Sequence, residues 1–213
     1  MLPPRYFDRF YEWLIRPIQN DADIQRVHAI AADNFGDDTF ALDHINGWHE
    51  RYPEGRRLLC DQGRIIGYVS IWPIDADQAD SFAKGLILEE NLTPLPIQQV
   101  LAEGAQHWFI GAVVIDRPFR KPRSDNPIGM MLAMALNSWA ESGQLRYPLS
   151  VLTLAYSDEG EAMLKRFGFE KTRDRSQMPD EQPLYRRDAT DKNDLFKAFA
   201  QRGIPCLFED AGG

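Results

Sequence analysis

Cysteine is scarce in this chain, and so is any long apolar run. Of 213 residues only Cys60 and Cys206 are cysteines, far apart and without CxxC spacing. Free thiols in a reducing compartment are therefore expected. No apolar stretch approaches the roughly 20 residues that a membrane span needs. The start, MLPPRYFDRFYEWL, is studded with charge and has no basic segment ahead of an apolar one. The expectation is a protein without a signal peptide, cytoplasmic and free of the membrane. Positive charge is short as well: 24 Lys and Arg against 32 Asp and Glu leave a net charge of −8. Nucleic-acid binding, which rests on many cationic phosphate contacts, is not expected from that balance. Glycine is missing where nucleotide folds need it. There is no GxxxxGK[ST] stretch and no GxGxxG after any strand, and Gly129 is the only glycine between Gly111 and Gly143. Nucleotide hydrolysis and dinucleotide redox chemistry therefore lack a motif. His44 and His49 are five apart and share no helix face well, so no metal site is expected.

What is present suits one mixed α/β domain, long enough to bury a core without disulfides or metal. LIRPI (14–18) is strand-like. NDADIQRVHAIAADNFG reads as a helix, with Asn20 or Asp21 as N-cap, Ile24, Val27 and Ala31 at helical spacing, and Gly36 as its stop. DDTFALDHINGWHERYPEG is a second helix, ended by Pro53 and Gly55. RRLLCDQGRIIGYVSIWPI (56–74) reads as a β-hairpin about Asp61-Gln62-Gly63. Residues 75–106 mix helical patches with prolines and read as an irregular insertion. QHWFIGAVVID is a central strand, apolar enough to be covered on both faces. A mostly buried helix follows from Pro127, with Ile128, Met131, Leu132, Ala135, Leu136 and Trp139 on its apolar face. LSVLTLAY (149–156) is a buried strand, DEGEAMLKRFGF a helix, FEKTRDR and QPLYRRD two final strands, and TDKNDLFKAFAQRG a C-terminal helix.

Charge is distributed unevenly. From Asp21 to Glu50 there are seven acidic residues and one basic residue, Arg26, whereas Asp116 to Arg123 holds four basic residues and one acid. The basic cluster sits between a buried strand and a buried helix. A helix N-terminus offers unpaired N–H groups and partial positive charge, so Arg120, Lys121, Arg123 and Ser124 ahead of one form an anion site. A pyrophosphate fits there; a solvated connecting loop is the other reading.

Four segments in order carry a family resemblance. RRLLCDQGRIIGYVSIWPI resembles the second and third strands of the GNAT superfamily of acyl-CoA-dependent N-acyltransferases. VVIDRPFR resembles the end of its fourth strand, V-x-P-x-(Y/F)-R. IGMMLAMAL resembles its I-G-x-x-L-L helix start, and EGEAMLKRFGFEKT its A-x-x-(L/F)-Y-x-x-x-G-F helix. The resemblance covers roughly residues 14–189, leaving 1–13 as an N-terminal extension and 190–213 as a C-terminal helix and tail. It implies a single α/β domain with a mixed, strongly bent central sheet and flanking helices. Acetyl-CoA, as acyl donor, would lie between the fourth and fifth strands. Its pantetheine arm would pair along Ala112, Val113, Val114 and Ile115, and its pyrophosphate would meet the loop and Ile128, Gly129 and Met130. Ser157 stands where the family often has Asn facing the cofactor. The chain departs from the pattern twice. RKPRSDNPIGM keeps only the last glycine of R/Q-x-x-G-x-G/A, with Pro122 and Pro127 removing backbone donors, and the usual general-acid Tyr is Leu164.

The resemblance thus implies direct transfer of an acyl group, acetyl expected, to a primary amine of a small molecule or peptide. Neither cysteine falls in a motif of an acyl-enzyme nucleophile. His107, on the fourth strand, is a candidate base, with Asp116 and Glu50 behind it, and Tyr156 a candidate acid. Asp37, Asp38 and Trp48, on the first two helices, suggest carboxylates and an aromatic face for a cationic amine. The alternative is a non-catalytic module of the same fold that binds acyl-CoA or a protein partner. A homodimer is compatible with the sequence.

Overall fold

The computed structural model describes residues 13–120 and 128–201. Residues 1–12, 121–127 and 202–213 lie outside the described residues. Within them the strands are β1 Trp13–Pro17, β2 Arg56–Asp61, β3 Arg64–Ile74, β4 Ala105–Ile115, β5 Leu145–Leu154, β6 Glu170–Arg173 and β7 Leu184–Ala189. The helices are α1 Asp21–Phe35, α2 Leu42–Arg51, α3 Ala76–Ala83, α4 Ile97–Glu103, α5 Ile128–Glu141, α6 Asp158–Arg166 and α7 Lys192–Ala200. The strands form one sheet in the order β1-β2-β3-β4-β5-β7-β6. Only β4 and β5 run parallel; every other neighbouring pair is antiparallel. This is a single α/β domain with a mixed seven-stranded sheet and flanking helices.

Local chemistry accounts for most boundaries. Asn20 caps α1 by accepting from the Asp23 N–H at 3.1 Å, and Gly36 ends the helix at φ 60°. Gln62 and Gly63 both take positive φ, as a two-residue turn between twisted antiparallel strands requires. The stretch that reads as irregular, 75–106, is more ordered than its composition suggests. The Asp75 carboxylate caps α3 by accepting from the Gln78 N–H at 2.7 Å, and Pro96 opens α4. Phe82 and Val100 anchor these two helices in the core, and β4 begins within the stretch, at Ala105. β5 also begins four residues ahead of expectation, at Leu145.

Alternation along the strands divides the core between the two faces of the sheet. Leu58, Cys60, Tyr68 and Val114 pack beneath Val27, Ile30 and Ala31 of α1. Leu59, Val69 and Ile115 belong to the larger cluster with Met131, Leu132 and Trp139 of α5. Leu195, Phe196 and Phe199 of α7 are buried in that same cluster. Cys60 is a buried free thiol, and Cys206 lies outside the described residues.

The site is set by a fork in the sheet. β4 pairs with β3 along almost its whole length, from Ile74↔His107 to Gly67↔Ile115. It pairs with β5 only from Ala105↔Leu145 to Ile110↔Thr153. Two features mark the point of parting. The β3–β4 register shifts between Ser70 and Ile71, leaving Gly111 as an extra residue on β4, and such a bulge bends its strand. The Thr153 hydroxyl donates to the Ile110 carbonyl at 2.8 Å and so terminates the parallel ladder. Beyond it, among the described residues, Ala112–Ile115 pair with β3 alone.

The close approach of β3 to this free segment depends on Gly67. A Cβ there would lie 2.5 Å from the Val114 carbonyl oxygen and 2.8 Å from Ile115 Cδ1. Gly67→Ala is therefore expected to force β3 and β4 apart and destabilise the fold by about 1–3 kcal/mol, the usual range for overpacking. A urea-unfolding midpoint tests it; an unchanged midpoint would mean that the strands separate freely.

Candidate active site

A cavity opens at the fork, on the face covered by α1 and α2. Its floor is the sheet: Arg56 on β2, Tyr68, Ser70 and Trp72 on β3, and Gly111 and Ala112 on β4. Phe35 of α1 and His44 and Trp48 of α2 form the opposite wall, with Asp38, Thr39 and Phe40 between the helices. Glu89 and Tyr156 complete it. The wall is an aromatic stack: Phe40, His44 and Trp48 lie ring to ring, and Trp48 meets Trp72 edge-on at 5.2 Å.

Glu89 is the chemically distinctive residue. It sits in a short 3₁₀ turn, Glu89–Asn91, inside the 75–106 stretch, and is 3 % exposed. Its backbone N–H donates to both Asp180 carboxylate oxygens, at 3.0 and 3.2 Å, which fixes the turn against the loop before β7. Its side chain accepts from the Tyr156 hydroxyl at 2.6 Å. Its other oxygen lies 3.6 Å from where a Cβ would stand on Gly111, at the fork itself. Burial pushes the Glu89 carboxyl up to about 8, and the nearby Asp180 and Asp38 carboxylates add to the rise while the Tyr156 hydrogen bond opposes it. Burial and the adjacent carboxylate in turn hold the Tyr156 phenol far above its ordinary range. A carboxyl that titrates near neutrality, hydrogen-bonded to a phenol, can accept a proton and pass one on.

Of the residues singled out from sequence, the cavity unites Tyr156, Asp38 and Trp48. Asp38 is exposed, whereas Trp48 is buried. Asp37 is exposed and does not line the cavity. Val113, Val114 and Ile115 lie on the segment of β4 that pairs with β3 but not with β5. His107 lies elsewhere. It pairs with Ser150 on the closed half of β4, four residues before Gly111, roughly 13 Å along the strand. Its position on the strand thus carries it away from the fork. Asp116 is engaged by Arg26 of α1, which donates to it at 2.5 Å, rather than by the basic residues beside it in sequence.

Arg120 folds back on the chain. Its Nε donates to the Ile115 carbonyl at 3.1 Å and its Nη2 to Asn34. Ser157 uses its hydroxyl to cap α6, accepting from the Gly160 N–H at 3.1 Å. Leu164 is buried in the core beneath α6. α5 begins at Ile128, and Gly129 is buried. Lys121, Arg123 and Ser124 lie outside the described residues, as does the Met130 side chain. Sequence reasoning missed Glu89 and Arg56. The only signal for Glu89 was a pair of acids set among leucines in LILEENL, and Arg56 passed as the first residue of a hairpin.

Among the described residues no cluster of His, Cys, Asp and Glu could hold a metal ion, and no helix is long and apolar enough to cross a membrane. No protein-family model matches the chain, and no curated protein matches it in sequence. Solved structures do match in fold. Ard1 from Thermoplasma volcanium superposes with a TM-score of 0.56 at 18 % identity, over 84 % of this chain and 99 % of its own. The loading GNATL domain of CurA from Lyngbya majuscula gives 0.59 at 14 % identity, over 83 % and 97 %. Arabidopsis thaliana Naa50, solved with the bisubstrate analogue CoA-Ac-MVNAL, gives 0.51 at 10 % identity, over 83 % and 98 %. With the forked seven-stranded sheet, these likenesses establish that the chain has the GNAT fold.

Proposed function

We propose that the protein is an acyl-CoA-dependent N-acyltransferase that moves an acyl group, acetyl in the simplest case, directly to a primary amine. One observation carries the reading. A strand segment that has left β5, Gly111–Ile115, borders a cavity whose buried carboxyl, Glu89, titrates near neutrality and is hydrogen-bonded to Tyr156. That segment suits the amide-bearing pantetheine arm of acetyl-CoA, which supplies the activated acyl group. A protein of the same fold was solved with a CoA-containing ligand, which supports a CoA-type donor. Backbone N–H groups near Val114 are suited to polarise the acyl carbonyl as charge develops on its oxygen.

The chain's own groups then manage protons. An amine arrives as an ammonium ion, whose charge favours the ionised form of Glu89. Glu89 takes one proton, and the neutral amine attacks. As the carbon–sulfur bond breaks, Tyr156 protonates the leaving thiolate and is reprotonated by Glu89. The second amine proton leaves to solvent, so an ammonium and a thioester become an amide, a thiol and a released proton. In this role Glu89 replaces His107, which lies on the closed half of β4.

The test is acetyl-CoA-dependent thiol release with a panel of primary amines. Turnover is expected, with kcat/KM rising with pH to a plateau above about 8. In Tyr156→Phe the rising limb should move to higher pH, because the hydrogen bond that lowers Glu89's pKa is gone. Acetyl-CoA binding without turnover on any amine would sink the enzyme reading and favour a binding module of the same fold.

A further inference from the structure

The cavity has a cationic end that the proton chemistry above leaves unused. Arg56 opens β2 and is 4 % exposed. Its guanidinium lies 4.5 Å from the Trp72 ring centroid, and one nitrogen donates to the Ile45 carbonyl at 3.3 Å. Its Nε has no partner. Among the described residues no carboxylate forms an ion pair with it. Burial holds its pKa down to about 10, which still leaves it charged at neutral pH. A buried charge without a counter-ion is strongly unfavourable. Two further buried polar atoms on the same cavity also lack partners: His44 Nε2 and Thr39 Oγ1. Burial lowers the His44 pKa, and a ring with its proton on Nε2 would offer a donor. The acids of the cavity, Glu89 and Asp38, pair with neither Arg56 nor His44. The cavity therefore has Glu89 at its fork end and Arg56 at its β2 end, with the unpartnered polar atoms of His44 on α2 and Thr39 between the helices along its wall.

Register sets the distance between these ends. Arg56 pairs with Ser70, and Ser70 with Ala112, so Arg56 is two strands from the free edge of β4, roughly 10 Å. We infer that the acceptor is an amino acid or another small amine bearing a carboxylate, with Arg56, His44 and Thr39 binding the carboxylate while the amine meets Glu89. One cation and two neutral donors match a single carboxylate; a phosphate dianion would leave excess negative charge close to Glu89. A purely cationic amine would leave Arg56 uncompensated. The inference rests on the acyltransfer reading for the role of the amine, but not for the anion site.

The experiment uses the full chain and a panel of L-amino acids and straight-chain ω-amino acids of two to six carbons, each beside its carboxamide. Thermal unfolding is measured without acyl donor, and acetyl transfer is measured separately. At least one acid should stabilise the protein and be acetylated, with kcat/KM falling about 10- to 100-fold for its amide, the range for a lost hydrogen bond to a charged group. The loss should appear mainly in KM. In Arg56→Met the acid and amide should become equivalent. Equal use of acids, amides and plain amines by the wild type would overturn the inference and leave acyl transfer standing. Stabilisation by an acid, lost in Arg56→Met but without acetylation of any amine, would support the carboxylate site and sink the transferase reading. No response to any acid in either assay would overturn it. If Arg56→Met does not fold, the acid–amide comparison in the wild type decides.

Discussion

Glu89→Gln should lower kcat by roughly 10²–10⁴, the usual contribution of a positioned general base, and abolish the rising pH limb. The same substitution should make the protein more stable at alkaline pH. The sign follows from linkage. The Glu89 pKa is raised from 4.5 unfolded to about 8 folded. Between those values the folded chain binds more protons than the unfolded one, so this group's contribution to stability falls as pH rises from 4.5 to 8 and stays low above. Glutamine keeps the shape and can still accept from Tyr156 but carries no charge to bury. Thermal unfolding of both proteins at pH 5, 7 and 9 should show the variant gaining on the wild type across that window. A variant that loses activity and is also destabilised at pH 9 would mark Glu89 as a structural residue instead.

Trp72→Ala should cost about 3–5 kcal/mol, the range for emptying a large aromatic site in a core. Trp72 is 1 % exposed and is the hinge between fold and site. Its ring lies so close to Gly55 that a Cβ there would stand 2.1 Å from it, and the Arg56 guanidinium lies 4.5 Å from its centroid. The truncation removes the Trp48 edge contact and the cation–π support of Arg56 together. Chemical denaturation measures the loss, with Trp72→Phe as the milder variant should the alanine form not fold at 25 °C. A loss below about 1 kcal/mol would mean that the aromatic wall does not organise the cavity.

Much of the fold was legible because periodicity and caps agreed. Asn20, Gly36 and the Gln62-Gly63 turn bound their elements where their chemistry predicts. The first two helices, expected on the acceptor side, form a wall of the cavity, and Tyr156 and Trp48 line it. The fork itself was anticipated only through the family resemblance. The physical devices that make it are a bulged glycine and one threonine hydroxyl, and neither carries a periodic signal. Glu89 was hidden for a related reason. Its significance comes from burial, and its surroundings there are β4, Tyr156 and a loop 91 residues further along the chain. For His107, strand membership was visible in the sequence, while the point at which β4 leaves β5 was not.

The most direct test is a crystal structure of the protein with coenzyme A. Acyl transfer at the fork predicts the pantetheine amides hydrogen-bonded to the β4 backbone between Gly111 and Ile115, with the thiol in the cavity within reach of Tyr156. A coenzyme bound away from this edge, or with its thiol remote from Glu89 and Tyr156, would contradict it.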